Sequence, residues 1–149
     1  MVRFSFATAA AVPAIVALVE RAYRGEVSRA GWTTEADLLD GQRTDADEVA
    51  VLVARPDARI VLAHDGAALV GSVLVTGGAG TGYLGMFAVE PRRQAAGLGR
   101  ALLAEGERVL RAELGCARAR MTVIVQRAEL IAWYQRRGWQ LTGEREPFP

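Results

Sequence analysis

Two β-rich runs, Arg59 to His64 and Leu69 to Thr76, stand on either side of Asp65-Gly66, a dipeptide that closes two-residue hairpins because it takes up positive φ at little cost. Runs this short, joined this tightly, predict two antiparallel strands side by side. The glycine-rich stretch Gly77 to Gly82 then turns the chain into a third run, Tyr83 to Val89, which Pro91 stops. Three consecutive strands therefore form a meander.

The remaining segments follow helical spacing. Ile15, Leu18, Val19 and Ala22 share one face while Glu20, Arg21 and Arg24 face away, which predicts an amphipathic helix from Val12 to Arg24 with Thr8 at the cap position and Gly25 as its breaker. Ahead of it, Arg3-Phe4-Ser5-Phe6 alternates like a short strand. A short helix is expected around Glu35 to Leu39. Thr44-x-x-Asp47 reads as the cap of another helix, running to Ala54 and ended by Pro56. Beyond the meander, Leu98 to Leu114 is a helix opened by Gly97 and Gly99, Arg118 to Val125 a strand, and Arg127 to Arg137 a helix closed by Gly138. The order is β-α-α-α-β-β-β-α-β-α-β. Strands alternate with helices only in the second half, so the fold class is α/β (α+β), with antiparallel strands first and a parallel central pair later, flanked by helices. The 149 residues are the length of one ordinary domain of ~100–200 residues, and residues 1–149 are expected to form one.

Composition excludes several chemistries. All 18 basic residues are Arg, against 17 acidic ones, for a net charge of +1, a balance that argues against nucleic acid as a partner held by bulk charge. Without Lys there is neither a G-x-x-x-x-G-K-[ST] phosphate loop nor a Schiff-base nucleophile. With one Cys (Cys116) and one His (His64), the chain builds no internal disulfide and no Cys/His zinc site, so no metal is expected. The apolar run Ala9 to Val19 is well short of the ~18–20 residues that span a bilayer. Its helical pattern, with no small-residue cleavage site after it, predicts a cytoplasmic protein with no membrane partner.

Two glycine patterns compete for a phosphate role. Gly80-Thr81-Gly82-Tyr83-Leu84-Gly85 matches G-x-G-x-x-G, but a dinucleotide fingerprint leaves a strand and opens a helix, whereas this one opens a strand and reads as a hairpin turn. Gln94-Ala95-Ala96-Gly97-Leu98-Gly99-Arg100 lies in the demanded context, between a strand and a helix, where backbone N–H groups and the helix dipole converge on an anion. Gln94-x-x-Gly97-x-Gly99 resembles the Q/R-x-x-G-x-G/A signature of the GNAT superfamily of N-acetyltransferases. Some 30 residues on, Ala128-Glu129-Leu130-Ile131-Ala132-Trp133-Tyr134-Gln135-Arg136-Arg137-Gly138-Trp139 is similar to that family's later A-x-x-x-F-Y-x-x-x-G-F helix. The two motifs, in order and with the strand pattern, extend the resemblance over nearly the whole chain; residues 26 to 56 lie outside its informative part.

The resemblance implies an acetyl-CoA-dependent acyltransferase with no metal. Residues Gln94 to Arg100 would hold the pyrophosphate, with Arg92 and Arg93 beside them, and the strand residues Phe87, Ala88 and Val89 would bind the pantetheine arm. The Phe87 N–H would polarise the thioester carbonyl. Tyr134 taken alone is an aromatic on an apolar helix face that packs with its hydroxyl satisfied; the resemblance implies that it protonates the departing thiolate, a role open to a tyrosine of ordinary pKa ~10. Two departures stand out. Arg127 occupies the position, seven residues before the Tyr, where the family often has Asn beside the cofactor. The chain also ends at Pro149, one strand earlier than most relatives, so either a final strand lies outside this sequence or a neighbouring subunit of a homodimer completes the sheet.

The base that deprotonates the amine stays open among Glu26, Glu35, Glu90, His64 and a water chain. His64 otherwise ends a strand at the surface, and Cys116 is a buried small hydrophobe. In relatives the segment after the first helix covers the acceptor; here it holds Tyr23, Glu26, Trp32, Thr33, Thr34, Glu35 and Arg43. An aromatic wall, a Glu for a cationic amine and an Arg for a carboxylate suit a small-molecule amine, although Trp32 and Leu38-Leu39 equally suit the packing of a lid. A non-catalytic acyl-CoA-binding module is the competing reading.

Overall fold

The computed structural model describes residues 2–29, 45–78, 80–91, 97–123 and 127–143, with side chains described only to residue 22 in the first of these. Strand β1 (Val2–Phe6) and a single 3-10 turn (Ala9–Ala11) lead into α1 (Val12–Arg29). Helix α2 (Ala46–Ala54), the meander β2 (Ala58–Asp65), β3 (Ala68–Thr76) and β4 (Thr81–Val89), helix α3 (Leu98–Ala112), strand β5 (Arg118–Arg120) and helix α4 (Ala128–Arg136) follow. The strands lie in the order β1-β2-β3-β4-β5. All neighbours are antiparallel except the last pair, β4 and β5, which is parallel. The mixed sheet has the predicted class.

Each face of the sheet carries its own core. On one, Ile15, Leu18 and Val19 of α1 and Val49 of α2 pack on Ile60, Leu62, Leu74 and Ala88. On the other, Leu98, Leu102, Leu103, Val109 and Leu110 of α3 pack with Tyr134 of α4 on Val61, Val73, Val75 and Leu84. Gly106 lets α3 approach closely, since a Cβ there would stand 3.3 Å from Val73 Cγ1 and 3.4 Å from Leu84 Cδ1. No helix among the described residues is long and apolar enough to cross a membrane.

Several boundaries differ from expectation, each for a local reason. Gly25 does not break α1, which continues to Arg29; an interior glycine costs only ~1 kcal/mol relative to alanine, and nothing at that point requires a left-handed residue. Thr8 is followed by the 3-10 turn and makes no side-chain cap bond. The cap of α2 is Asp45 and not Thr44: its Oδ1 accepts the Glu48 N–H at 2.8 Å, adding a negative charge at the positive end of the helix dipole. Arg55, next to Pro56, is extended (φ −75, ψ 131) and ends that helix. The hairpin turns on Gly66-Ala67, one residue later than the Asp65-Gly66 reading, because Asp65 still pairs with Ala68 and the positive φ of 63° falls at Gly66. The helix after residue 98 stops at Ala112, two residues before Leu114. The short helix expected at Glu35 to Leu39 lies outside the described residues, and no strand follows α4 as far as residue 143.

The glycine fingerprint at Gly80 to Gly85 does open a strand. Gly80 takes φ 86° in the turn. Gly82 has no room for a side chain, since a Cβ would stand 2.8 Å from the Thr76 carbonyl oxygen and 2.5 Å from Leu110 Cδ2.

The split between the parallel strands and the candidate active site

Strand β5 was expected to run from Arg118 to Val125, but among the described residues, which stop at 123 here, it pairs with β4 only at Thr81 with Arg118, Gly82 with Ala119 and Tyr83 with Arg120. The cause lies in β4. Leu74 faces Gly85 and Ser72 faces Ala88, so two residues, Met86 and Phe87, stand opposite the single Val73. That bulge bends the strand and raises its twist, and Met86 pays with φ 46°, a left-handed conformation that costs a non-glycine residue of order 1–3 kcal/mol. Such strain in mid-strand marks a place where the direction of the backbone matters. Past the bulge the Glu90 N–H bonds the Val70 carbonyl at 2.8 Å, and the alternation of the ladder therefore turns the main chain of Val89 to the β5 side. Ala88 and Val89 are both buried.

Aromatic rings fill the α3 side of the split. The Tyr134 ring, 7% exposed, meets Phe87 edge-on at 6.2 Å and Trp133 at 5.2 Å between centroids, and Phe87 meets Trp133 at 6.0 Å. Helix α4 presents Tyr134 here because Gly138, at φ 95°, reverses the chain after its last turn. Trp139 then bonds back to α3 through Nε1 to Glu107 Oε2 at 2.9 Å. The first turn of α3 abuts the same rings, since a Cβ on Gly99 would lie 3.6 Å from Trp133 and 3.9 Å from Phe87. Gly97 caps α3 with φ 78°, and a Cβ there would face open space. The structure thus brings Phe87, Gly97, Leu98, Gly99, Arg100 and Tyr134 into one neighbourhood.

Two features of this neighbourhood were not singled out from the sequence. The Arg137 guanidinium lies over the Trp133 ring at 4.4 Å and donates from Nη1 to the Trp133 carbonyl at 3.3 Å. Desolvation there, with added repulsion from Arg100 and Arg136, holds Arg137 below its ordinary value, so three cations gather here. The i, i+4 spacing of Trp133 and Arg137 was the signal available for it. The second is the Tyr83 hydroxyl, bonded to Thr122 Oγ1 at 3.1 Å across the split. It had no sequence signal.

The other site residues named from the sequence fall in several places. Arg127 is buried, 4% exposed, and its carbonyl starts α4 by accepting the Ile131 N–H at 3.1 Å. Glu90 Oε2 receives both Arg21 Nε (3.1 Å) and Nη2 (2.9 Å), an ion pair that ties α1 to the end of β4. His64 sits at an irregularity in β2, two strands from β4. Cys116 is buried, its Sγ 3.5 Å from the Leu114 carbonyl, as the packing reading requires. Tyr23 and Glu26 lie on α1 with their side chains outside the described set. Trp32, Thr33, Thr34, Glu35, Arg43, Arg92, Arg93, Gln94, Ala95 and Ala96 lie outside the described residues altogether.

The glycine-opened helix after the strand that ends at Val89 is what the sequence resemblance implied, and comparison with known proteins agrees on the family. The model of the acetyltransferase (GNAT) family matches residues 14–139. The chain belongs to that family, and with it to the acyltransferases. No curated protein matches it significantly. Among solved structures it is similar to the PaiA N-acetyltransferase of Thermoplasma acidophilum in complex with coenzyme A, at 13% identity and TM-score 0.80 over 97% of this chain and 93% of that one. It is also similar to a GCN5-related N-acetyltransferase from Ralstonia eutropha, at 20% identity and TM-score 0.71 over 100% and 99% of the two chains. A third likeness is to the ribosomal-protein-S18-alanine N-acetyltransferase of Escherichia coli, at 21% identity and TM-score 0.72 over 93% and 77%. At these identities the likeness is one of fold.

Proposed function

We propose that the protein is an N-acetyltransferase that moves the acetyl group of acetyl-CoA to the primary amine of a small-molecule acceptor by direct attack. The observation that carries this reading is the meeting of the β4 bulge, Tyr134 and the open N-terminus of α3 at one split in the sheet.

In this reading the N–H groups from Gly97 to Arg100, with Gln94, Ala95 and Ala96 of the same motif, take the pyrophosphate. Gly97 leaves room there, and Arg100, Arg136 and Arg137 add positive charge. The main chain of Phe87, Ala88 and Val89 lines the pantetheine arm, and Arg127 stands where the arm passes the start of α4. The Phe87 N–H donates to the thioester oxygen, where a fixed main-chain donor stabilises negative charge only as it develops. Nitrogen attacks the carbonyl carbon, the C–S bond breaks with its electron pair going to sulfur, and Tyr134 protonates the thiolate. Glu90 is held in its ion pair with Arg21, which favours a structural role for it over that of the base. Tyr23, Trp32, Glu35 and Arg43 stay with the acceptor side, as the resemblance implies.

The test measures acetyl-CoA binding by calorimetry and thiol release with an amine panel, in wild type and Tyr134→Phe. Wild type should bind and release thiol; the variant should bind with similar affinity while kcat falls roughly 10–10³-fold, because general acid catalysis supplies ~10²–10⁴-fold and water substitutes in part. Binding without thiol release from any amine would instead describe an acyl-CoA-binding module, and equal kcat in the two proteins would leave Tyr134 to packing.

A further inference from the structure

Past its last pair with β4, Arg120 opposite Tyr83, the chain of β5 runs on outside any ladder from Met121 to Val123. It keeps the alternation of a strand. Ala119, Met121 and Val123 all pack against the core on the α3 side, so Thr122 between them faces the other way. Tyr83 faces that way too, because a Cβ on its neighbour Gly82 would point at Leu110 and Cys116 on the α3 side. Carried on by two positions, the register of the ladder would set Gly85 opposite Thr122, a pair that the main chains do not make.

A side chain takes over where the ladder stops. A Cβ on Gly85 would stand only 2.6 Å from Tyr83 Cε1, so the Tyr83 ring lies along β4 over Gly85, in space that any side chain there would close. From that position its hydroxyl meets Thr122 Oγ1 at 3.1 Å, either oxygen being able to donate. The bulge begins at the next residue, Met86, and bends β4 there. The hydroxyl pair is therefore a strut across the crotch of a fork, with the last ladder pair on one side and the strained Met86 on the other.

Tyr83 is 37% exposed and water competes for its hydroxyl, so the pair adds little to the stability of the fold. Its effect is on spacing. A rigid ring sets how far Thr122 stands from β4, at the point where main-chain hydrogen bonds no longer do so. A ligand that lies along the β4 main chain beyond Gly85 gains from strands already held at the right distance, because every other spacing the free protein visits lowers its affinity. Resting on the acetyltransferase reading, we propose that Tyr83 and Thr122 are positioning residues for the acyl-pantetheine arm, their hydroxyl pair pinning β5 to β4 at the start of the split and fixing its width before the ligand arrives. Neither residue touches the reacting atoms; both act through the main chains that they hold. The nucleotide end of the ligand, at the turn that opens α3, does not depend on the strut.

The experiment is calorimetry on wild type, Tyr83→Phe, Thr122→Val, the double variant and Thr122→Ser, with acetyl-CoA and with adenosine 3′,5′-bisphosphate, the nucleotide end without its arm. Denaturant midpoints are measured alongside. Expected is an acetyl-CoA Kd raised about 3- to 10-fold in Tyr83→Phe and in Thr122→Val, the range of one net hydrogen bond. The double variant should lose no more than either single one, since each change alone breaks the pair. Thr122→Ser, which keeps the hydroxyl, should bind as wild type does; the bisphosphate should bind every variant alike, and the midpoints should move little. An unchanged acetyl-CoA Kd in either single variant, losses that add in the double variant, or an equal loss with the bisphosphate would overturn this inference while leaving the acetyltransferase reading in place. Failure of wild type to bind acetyl-CoA would overturn that reading first, and this one with it.

Discussion

Strands β2 and β3 pair from Ala58 opposite Thr76 to Asp65 opposite Ala68, whereas among the described residues β4 and β5 hold one another only from Thr81 to Tyr83. The first pair is closed and apolar on both faces: Ile60, Val61, Leu62 and Ala63 are all buried, with helices on either side. The second opens after three positions and puts a strained Met86, a tyrosine hydroxyl and an arginine around the opening. In the proposed reading the ligand docks along the main chain of β4 past the split, and the closed part of the sheet offsets the lost strand pairing. In that reading stability and chemistry belong to different strand pairs of one sheet.

The largest expected effect tests the closed side. Leu102, fully buried against β3, replaced by Ala should lose ~2–5 kcal/mol of stability from lost burial and the cavity left behind, read as a lower denaturant midpoint. A loss comparable to that of an exposed substitution would break the comparison, since the sheet's closed part would then not hold the fold. Next in size is Gly99→Val on the open side. Its γ-methyls would press toward the Trp133 and Phe87 rings beside the first turn of α3, so in the proposed reading acetyl-CoA affinity should drop ~100-fold or more, about 2.7 kcal/mol, with a smaller change in midpoint than Leu102→Ala. Gly99→Ala is the control, because its Cβ meets Trp133 at an ordinary 3.6 Å. Unchanged affinity in the Val variant would move the phosphate site elsewhere.

A smaller effect bears on α2, which packs on the closed side. Asp45→Ala removes the cap bond to the Glu48 N–H and should cost ~1 kcal/mol, within the usual ~0.5–2 for a lost cap, with no effect on acetyl-CoA affinity. A change in affinity equal to the change in stability would mean that the two regions are coupled.

The closed region was the legible one. Apolar runs of strand length and helical repeats report burial directly, and the order of the described elements, the meander and the change from antiparallel to parallel were readable from them, although the strand expected after α4 does not follow it as far as residue 143. Errors there were of one residue or one turn, as at Gly66-Ala67, Asp45 and Gly25, where two neighbouring residues compete for the same local role. The split was legible only in part. The glycines at 97 and 99 and the tyrosine at 134 were picked out by the resemblance of their motifs, and the structure gathers them with Phe87. The bulge itself has no local signature in Gly85-Met86-Phe87, since two residues opposite one is a property of the pairing between β3 and β4. The Tyr83 and Thr122 contact, 39 residues apart in sequence, depends on that bulge and on Gly85 together, and so lay beyond any local pattern.

The smallest expected effect concerns charge on α3, the helix that both regions share. Arg108 donates from Nε to Glu105 Oε1 at 2.9 Å and from Nη2 to Oε2 at 2.7 Å, and these bonds hold the Glu105 carboxyl below its ordinary value. A carboxylate depressed in the folded state contributes stability that is complete above its unfolded pKa and is lost as pH falls through the folded one. Glu105→Gln should therefore be slightly less stable than wild type at neutral pH, by ~0.3–0.5 kcal/mol for a solvent-screened i, i+3 pair. The gap should close on acidification below the ordinary carboxylate range and shrink in high salt. The pair sits near the cavity beside Phe4, Ser5 and Phe6 at the β1 edge, so no change in acetyl-CoA affinity is expected at any pH. A stability gap that widens toward acid would show that Glu105 is stabilised in its protonated form, and would reverse the assignment of the Arg108 bonds as its cause.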